Sequence, residues 1–279
     1  MEEETFAAVR EKIIRNDTET AVAMLSELAS SSDDPFVKIK SASVLLAIGK
    51  PDVSDGILED LYDNLPENPE KRFAAAQAMR GLGRPDLASE ILSEMEKTDK
   101  VLREHAISEA NRGNYSSAYG LIEKIENPSL DDRILAADSL SSSGKIPEAL
   151  ALSESIFKEH SDVYGAVRCR CGALIAADRG KEALALAKSL RKKDKNSPDA
   201  YAAGAYVTRI IGKSDLAGAF ASKALRIDPN HLGAMEILAQ SLMDREMYRD
   251  AGIVAGAINE KDPGNRIAVY VLKECAGRF

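Results

Sequence analysis

The sequence predicts an all-α fold, a solenoid built from one continuous row of antiparallel helix pairs. Three observations predict it. First, a small residue followed by a short apolar stretch recurs at Ala21, Ser54, Ala88, Ala118, Ala149, Ala183, Ala217 and Ala251. The successive spacings are 33, 34, 30, 31, 34, 34 and 34 residues, and self-similarity at a period of this size marks a stacked helical-repeat array. Second, a glycine stands shortly before the recurring residue at Gly49, Gly83, Gly113, Gly144 and Gly212, where a left-handed residue can close one helix before the next begins. Third, the apolar residues after these turns fall at helical spacing.

The units run over about residues 2–33, 34–67, 68–98, 99–129, 130–162, 163–196, 197–230 and 231–264, with a last helix over 265–279. In the second and third units, Pro51 and Pro85 stand where a helix's first turn needs no amide proton, followed by Asp52 and Asp86 near the positive helix end. Asp215 repeats that acidic start in the seventh. The buried face of the second helix reads as Leu87, Ala88, Ile91, Leu92 and Met95 in the third unit, and as Leu184, Ala187 and Leu190 in the sixth. In the seventh it reads as Leu216, Ala217, Phe220, Ala221, Ala224 and Leu225. The recurring residue is small because helices joined by a short turn must pack closely, and axes approach to about 8 Å only where the contact side chains are small. The last helix offers Ile267, Val271, Leu272 and Cys275 to cover the eighth unit, since a terminal unit otherwise exposes an apolar face. Val269, Tyr270 and Phe279 are left over for self-association or a partner.

Composition narrows the function classes. Apolar residues make up 44% of the chain and charged residues 29%, and no apolar run approaches the roughly 18 residues that span a bilayer, so no membrane insertion is expected. The start Met1-Glu2-Glu3-Glu4 lacks the basic and apolar segments of a secretory signal, which points to the cytoplasm. Three cysteines, two of them at Cys169 and Cys171, do not make a disulfide framework. With 37 basic against 45 acidic residues the net charge is -8, which repels a phosphate backbone. Nucleic acid is not expected as a partner.

The repeats resemble the tetratricopeptide repeat (TPR) family. Tyr201, Gly204, Ala205, Thr208, Gly212, Ala217, Ala221, Ala224 and Pro229 occupy the family's pattern in the seventh unit. In the eighth, Met235, Leu238, Ala239, Leu242, Tyr248, Ala251, Ala255 and Pro263 do so. Asp194, Asp228 and Asp262 recur at the family's interval. The chain departs from the pattern in having no Trp and in placing smaller residues in most aromatic slots. The resemblance implies a right-handed α-α superhelix in which the first helix of each unit lines a concave groove. It further implies that groove residues sit beside the packing positions: Gln77, Arg80, Arg103, Asp138, Arg168, Tyr206, Arg209, Gln240 and Asp244. Arg80, Arg103, Arg168 and Arg209 would then form a positive strip able to pair with carboxylates, implying a peptide or protein partner of acidic character. They could equally pair with neighbouring Asp and Glu. The Lys and Asn set with which one subclass grips a terminal carboxylate is not found.

Catalysis is not expected, because in a row where each unit leans only on its neighbours, groups far apart in sequence stay far apart in space. His105, His160 and His231 lie in different units and have no partner spaced as a triad or metal site demands. Cys169 and Cys171 point apart on a helix and cannot share a metal. Gly212-Lys213-Ser214 mimics the end of a phosphate loop, but Val207 stands in place of its first glycine and a helix precedes it, so it reads as a turn. Neither cofactor nor metal is expected. The function this supports is an adaptor or assembly scaffold holding a partner's peptide or helix. The alternative is a structural or regulatory subunit using its convex or terminal surfaces.

Overall fold

The structure, a computed structural model, describes residues 2–262 and 265–276. It is helical throughout with no strand among the described residues. The first helices of the units are α1 (Glu2–Ile14), α3 (Pro35–Ala47), α5 (Pro69–Gly81), α7 (Asp99–Asn111), α9 (Leu130–Ser142), α11 (Tyr164–Ala176), α13 (Pro198–Ile210) and α15 (Leu232–Asp244). Each is followed by a second helix: α2 (Thr18–Ser31), α4 (Pro51–Asp63), α6 (Pro85–Glu94), α8 (Tyr115–Ile122), α10 (Ile146–Glu159), α12 (Gly180–Lys193), α14 (Ser214–Ile227) and α16 (Tyr248–Lys261). A last helix, α17 (Arg266–Cys275), follows. Pro263 and Phe279, assigned above to the repeat pattern and the leftover face, lie outside the described residues.

One joint makes every hairpin. The five predicted glycines adopt φ between 74° and 88°. In the remaining units Asn16, Asp178 and Glu246 take the same left-handed role at φ of 59° to 60°. At each joint the next amide reaches five residues back, as in Lys50 N to Leu45 O at 2.9 Å and Met247 N to Leu242 O at 2.9 Å, satisfying a carbonyl that the helix end would leave orphaned. That same residue then stands at the N-cap of the second helix, so the two axes meet with almost no connecting chain. Pro51 and Pro85 sit in the first turns of α4 and α6 as the sequence predicts.

The recurring small residues lie in these hairpins, and all eight are fully buried. Around them the predicted faces pack, with Leu87, Ala88, Ile91 and Leu92 inside in the third unit and Ala217, Ala221 and Ala224 in the seventh. Leu216 corrects the stripe, since it is 42% exposed. It lies one residue before Ala217 and turns past the edge of the buried arc.

The first helices touch one another along the inside of the array, α9 on α11, α11 on α13, α13 on α15 and α15 on α17, while the second helices fan outward. The inner layer carries a run of small buried residues in its later units. Ala200, Ala202, Ala203 and Ala205 of α13 are buried, and a side chain at Gly233 of α15 would collide with the Tyr164 ring reaching across from α11. Small inner residues draw the first helices together and tighten the curve.

That curvature overturns the expectation that every unit meets only its neighbours. α17 caps the eighth unit with Ala268, Val271 and Cys275, joined by the partly buried Ile267 and Leu272, as the sequence predicts. Its opposite face, however, meets the second and third units. Val269 is 5% exposed within the cluster of Leu46, Phe73, Met79 and Leu87, and Lys273 Nζ lies 3.0 Å from Asp55 Oδ1, 218 residues away. A Cβ on Gly83 would stand 2.8 Å from Val269 Cγ1. The superhelix is therefore closed, and Val269, expected to be left over for another molecule, is covered by the chain itself. Tyr270 stays 55% exposed.

Candidate functional site

The concave face is a trough floored by the first helices, and each predicted groove residue lies on one of them. The arginines do not form a free positive strip. Each reaches to or from the neighbouring first helix: Arg80 pairs with Glu104, Arg168 with Asp138 and Arg209 with Asp244 at 3.0 Å. Arg103 holds Asp132 through two nitrogens at 2.8 Å each. Gln77 Nε2 donates to the same Glu104 at 3.2 Å. Asp138 and Asp244, predicted as separate ligand contacts, are the counter-ions of Arg168 and Arg209. The result is a ladder of rungs joining successive inner helices, with its carboxylates Glu104 and Asp132 buried. Burial alone raises the Asp132 carboxyl, but hydrogen bonds from Arg103 and Ser129 outweigh it and hold the group below its ordinary value.

The ladder continues through groups that the sequence reading did not single out for the groove. His231 is the N-cap of α15, its Nδ1 accepting from Ala234 N at 3.1 Å, and Nε2 lies 2.8 Å from Asp199 Oδ1 of α13. Tyr164 packs edge-on to that ring at 5.0 Å. Asn265 caps α17 and donates to Glu236 Oε1 of α15 at 2.7 Å. Burial raises the Glu236 carboxyl despite this bond.

Three of the predicted residues converge. Asp138, Arg168 and Tyr206 line a pocket of about 480 Å³ in the middle of the trough, bounded by the ends of α7 and α9 and by α11 and α13. Arg168 lies under the Tyr206 ring at 5.9 Å, and a Cβ on Gly172 would meet the Tyr206 hydroxyl at 3.0 Å, so glycine makes room for that phenol. Arg266 joins this wall from α17. It forms no ion pair with any described residue and stands beside the neutralised Arg168–Asp138 pair. Gln77, Arg80, Arg103, Arg209, Gln240 and Asp244 lie elsewhere along the trough. A second depression, of about 570 Å³, opens at the edge of the third unit beside Phe73 and Lys100, with the Lys100 ammonium over the Phe73 ring at 4.2 Å.

Two histidines have partners that sequence spacing did not indicate. His105 Nε2 lies 3.1 Å from Ser89 Oγ. The Ser89 hydroxyl already donates to the buried Glu109 at 2.6 Å, so the ring can only donate to it, the reverse of what a nucleophilic serine requires. Arg112 and Asn114 complete the cluster around Glu109 at 2.7 and 3.1 Å, while the His105 Nδ1 is buried without a partner, so the cluster reads as structural. Cys169 and Cys171 are buried, and burial pushes both thiols up to about 12, away from the thiolate form that reacts or binds metal. No cluster able to hold a metal ion occurs among the described residues. None of their helices is long and apolar enough to cross a membrane.

No family model and no curated protein matches the sequence. Solved structures do match in shape. A tetratricopeptide repeat protein from Parabacteroides merdae is similar with a TM-score of 0.53 at 14% identity, over 86% of this chain and 98% of that one. A thermophilic TPR protein from Thermus thermophilus matches at 0.45 and 16% identity, over 64% of this chain and 98% of that one. The first of these likenesses shows the fold, an all-α superhelix of the tetratricopeptide type.

Proposed function

We propose that this TPR-type superhelix is an interaction scaffold whose trough holds an extended peptide or a helix from a protein partner. The observation that carries the reading is the central pocket, where Arg266, with no counter-ion among the described residues, stands beside Tyr206 and the Arg168–Asp138 pair. Its walls are pre-ordered by interhelix bonds, so a ligand meets a rigid surface and little ordering cost opposes binding. A carboxylate of the partner would complete Arg266 as Asp138 completes Arg168. An acidic segment is therefore the favoured ligand, gripped at the pocket and extended along the trough past Gln77, Arg80, Arg103, Arg209, Gln240 and Asp244. The role is binding, with no cofactor.

The experiment screens acidic and basic peptide pools against the protein and measures selected binders by fluorescence anisotropy. Arg266→Glu is the decisive variant because Arg266 is exposed and makes no ion pair with a described residue, whereas Arg103→Glu or Arg168→Glu would face a second carboxylate against Asp132 or Asp138. A tenfold or greater loss for acidic peptides with helicity unchanged is expected. Equal affinity in the variant would remove the pocket from the reading.

One observation favours a second reading, in which the terminal surface binds within a larger complex. Ile253 of α16 is 65% exposed and Tyr270 of α17 is 55% exposed, apolar area at the end of the array. Partner capture lost in Ile253→Asp and Tyr270→Ser but retained in Arg266→Glu would select it.

A further inference from the structure

The closure made by α17 is built differently on its two faces. Toward its own hairpin it buries Ala268, Val271 and Cys275, with Ile267 and Leu272 partly covered, in one apolar cluster with Met235, Ala239, Leu242 and Ile258. Cys275 Sγ also contacts Tyr248 O at 3.3 Å, and Asn265 ties the helix start to Glu236. Toward the second and third units it offers one apolar side chain, Val269, and one ammonium, Lys273, whose Nζ lies 3.0 and 3.2 Å from the two Asp55 oxygens. Both partners of that ion pair are partly open to water, at 25% and 31% exposure, so water can replace either of them. The receiving surface is shaped for the contact. Gly83 is the turn glycine between α5 and α6, and the space its missing Cβ leaves is filled by Val269 and by the Lys273 chain, 2.8 and 3.0 Å from where that carbon would stand.

We propose that α17 is a reversible clasp: it stays with the eighth unit, while its Val269–Lys273 face engages and releases the seat formed by Asp55, Gly83 and the third-unit cluster. A solenoid flexes by small rotations shared among its unit interfaces. Separation at the small contact therefore lets the array spring open without exposing the large capping cluster. Arg266 is on α17, one turn before Val269 and on the same side as Val269 and Lys273. Opening therefore withdraws the cation from the pocket to which α9, α11 and α13 contribute Asp138, Arg168 and Tyr206. Closing completes that wall. The clasp stands on its own contacts and does not depend on what the trough holds.

Small-angle X-ray scattering of the full chain tests it, with circular dichroism as the control for folding. Wild type is expected to scatter as the closed superhelix. Lys273→Glu, Asp55→Lys and Val269→Asp are each expected to raise the radius of gyration at unchanged helicity, and Asp55→Lys/Lys273→Glu to return it to the wild-type value. Asp55→Lys alters the seat while leaving the capping helix intact, so it separates release from loss of the cap. Unchanged scattering in all three single variants overturns it. So does wild-type scattering of an open array, failure of the double reversal to restore closure, or loss of helicity in Asp55→Lys, which would make the contact part of the folded core.

Discussion

Arg103 and Asp132 hold each other across α7 and α9 while Asp132 also closes the start of α9. Its Oδ2 accepts from Ser129 N at 2.8 Å, and Ser129 Oγ in turn accepts from Asp132 N at 3.2 Å. One buried carboxylate thus fastens two inner helices and caps one of them. Arg103→Ala leaves that carboxylate without its strongest partner, and removing one partner of such a pair costs more than the pair contributes. Because the Arg103 side chain is 36% exposed and water can enter, the expected loss is about 1–3 kcal/mol, read by urea denaturation. The lowered Asp132 value also sets a sign. Its contribution is complete above the unfolded carboxylate value of about 3.9 and is lost as pH falls through the folded value, so Arg103→Ala should show a weaker acid dependence than wild type.

Ala217 is fully buried in the seventh hairpin, packed with Ala205, Ala221 and Ile237. Ala217→Leu should overpack it and cost about 1–3 kcal/mol, seen as a lower Tm. An unchanged Tm would show that the small slot does not set the helix approach. Ser54 fills the equivalent slot with a buried hydroxyl that has no hydrogen-bond partner. Ser54→Ala should therefore stabilise the protein by about 1 kcal/mol.

Burial, and next the charge of Lys97, hold the His105 ring below the ordinary histidine range. Protonation then favours the unfolded chain. The stability from the neutral ring is complete above the unfolded value of about 6.5 and is lost as pH falls from there through the folded value. His105→Gln should flatten the fall of Tm as pH drops below about 6.5. Parallel curves for the two proteins would assign the acid loss to other groups.

Glu246 occupies the left-handed joint of the eighth unit at φ 60°, where a Cβ is strained. Glu246→Gly removes the strain but adds freedom to the unfolded chain, and a net gain of about 0.5–1 kcal/mol is expected. A differential-scanning comparison showing destabilisation would mean that the Glu246 side chain contributes a contact outweighing its backbone cost.

The hairpins were legible because local rules write them. The recurring small residue, the glycine joint and the proline at Pro51 and Pro85 each act within a few residues of chain. Asn16, Asp178 and Glu246 escaped because a left-handed residue without glycine leaves no mark in composition. The groove positions came from the family's pattern, and all of them fall on inner helices. Their pairing did not follow, because Arg103 meets Asp132 only after two helices are set side by side. Arg266 was out of reach for a larger reason. Its place in the pocket depends on curvature summed over successive units, a quantity to which Gly233, Gly172 and the alanines of α13 each add a little. The same summation undid the argument that distant residues stay apart.

Fastening α17 to the second and third units alters how the row comes apart. An open row of stacked hairpins melts inward from whichever end is weaker, each unit answering only to the next. Here the C-terminal end is anchored in the early part of the chain, so frayed amides should gather in α1 and α2, beyond the loop, while units two to eight exchange their protons together. Heat or denaturant would then meet a looped belt with one loose tail, and damage near Asp55 would be felt at residue 275 as quickly as damage beside it.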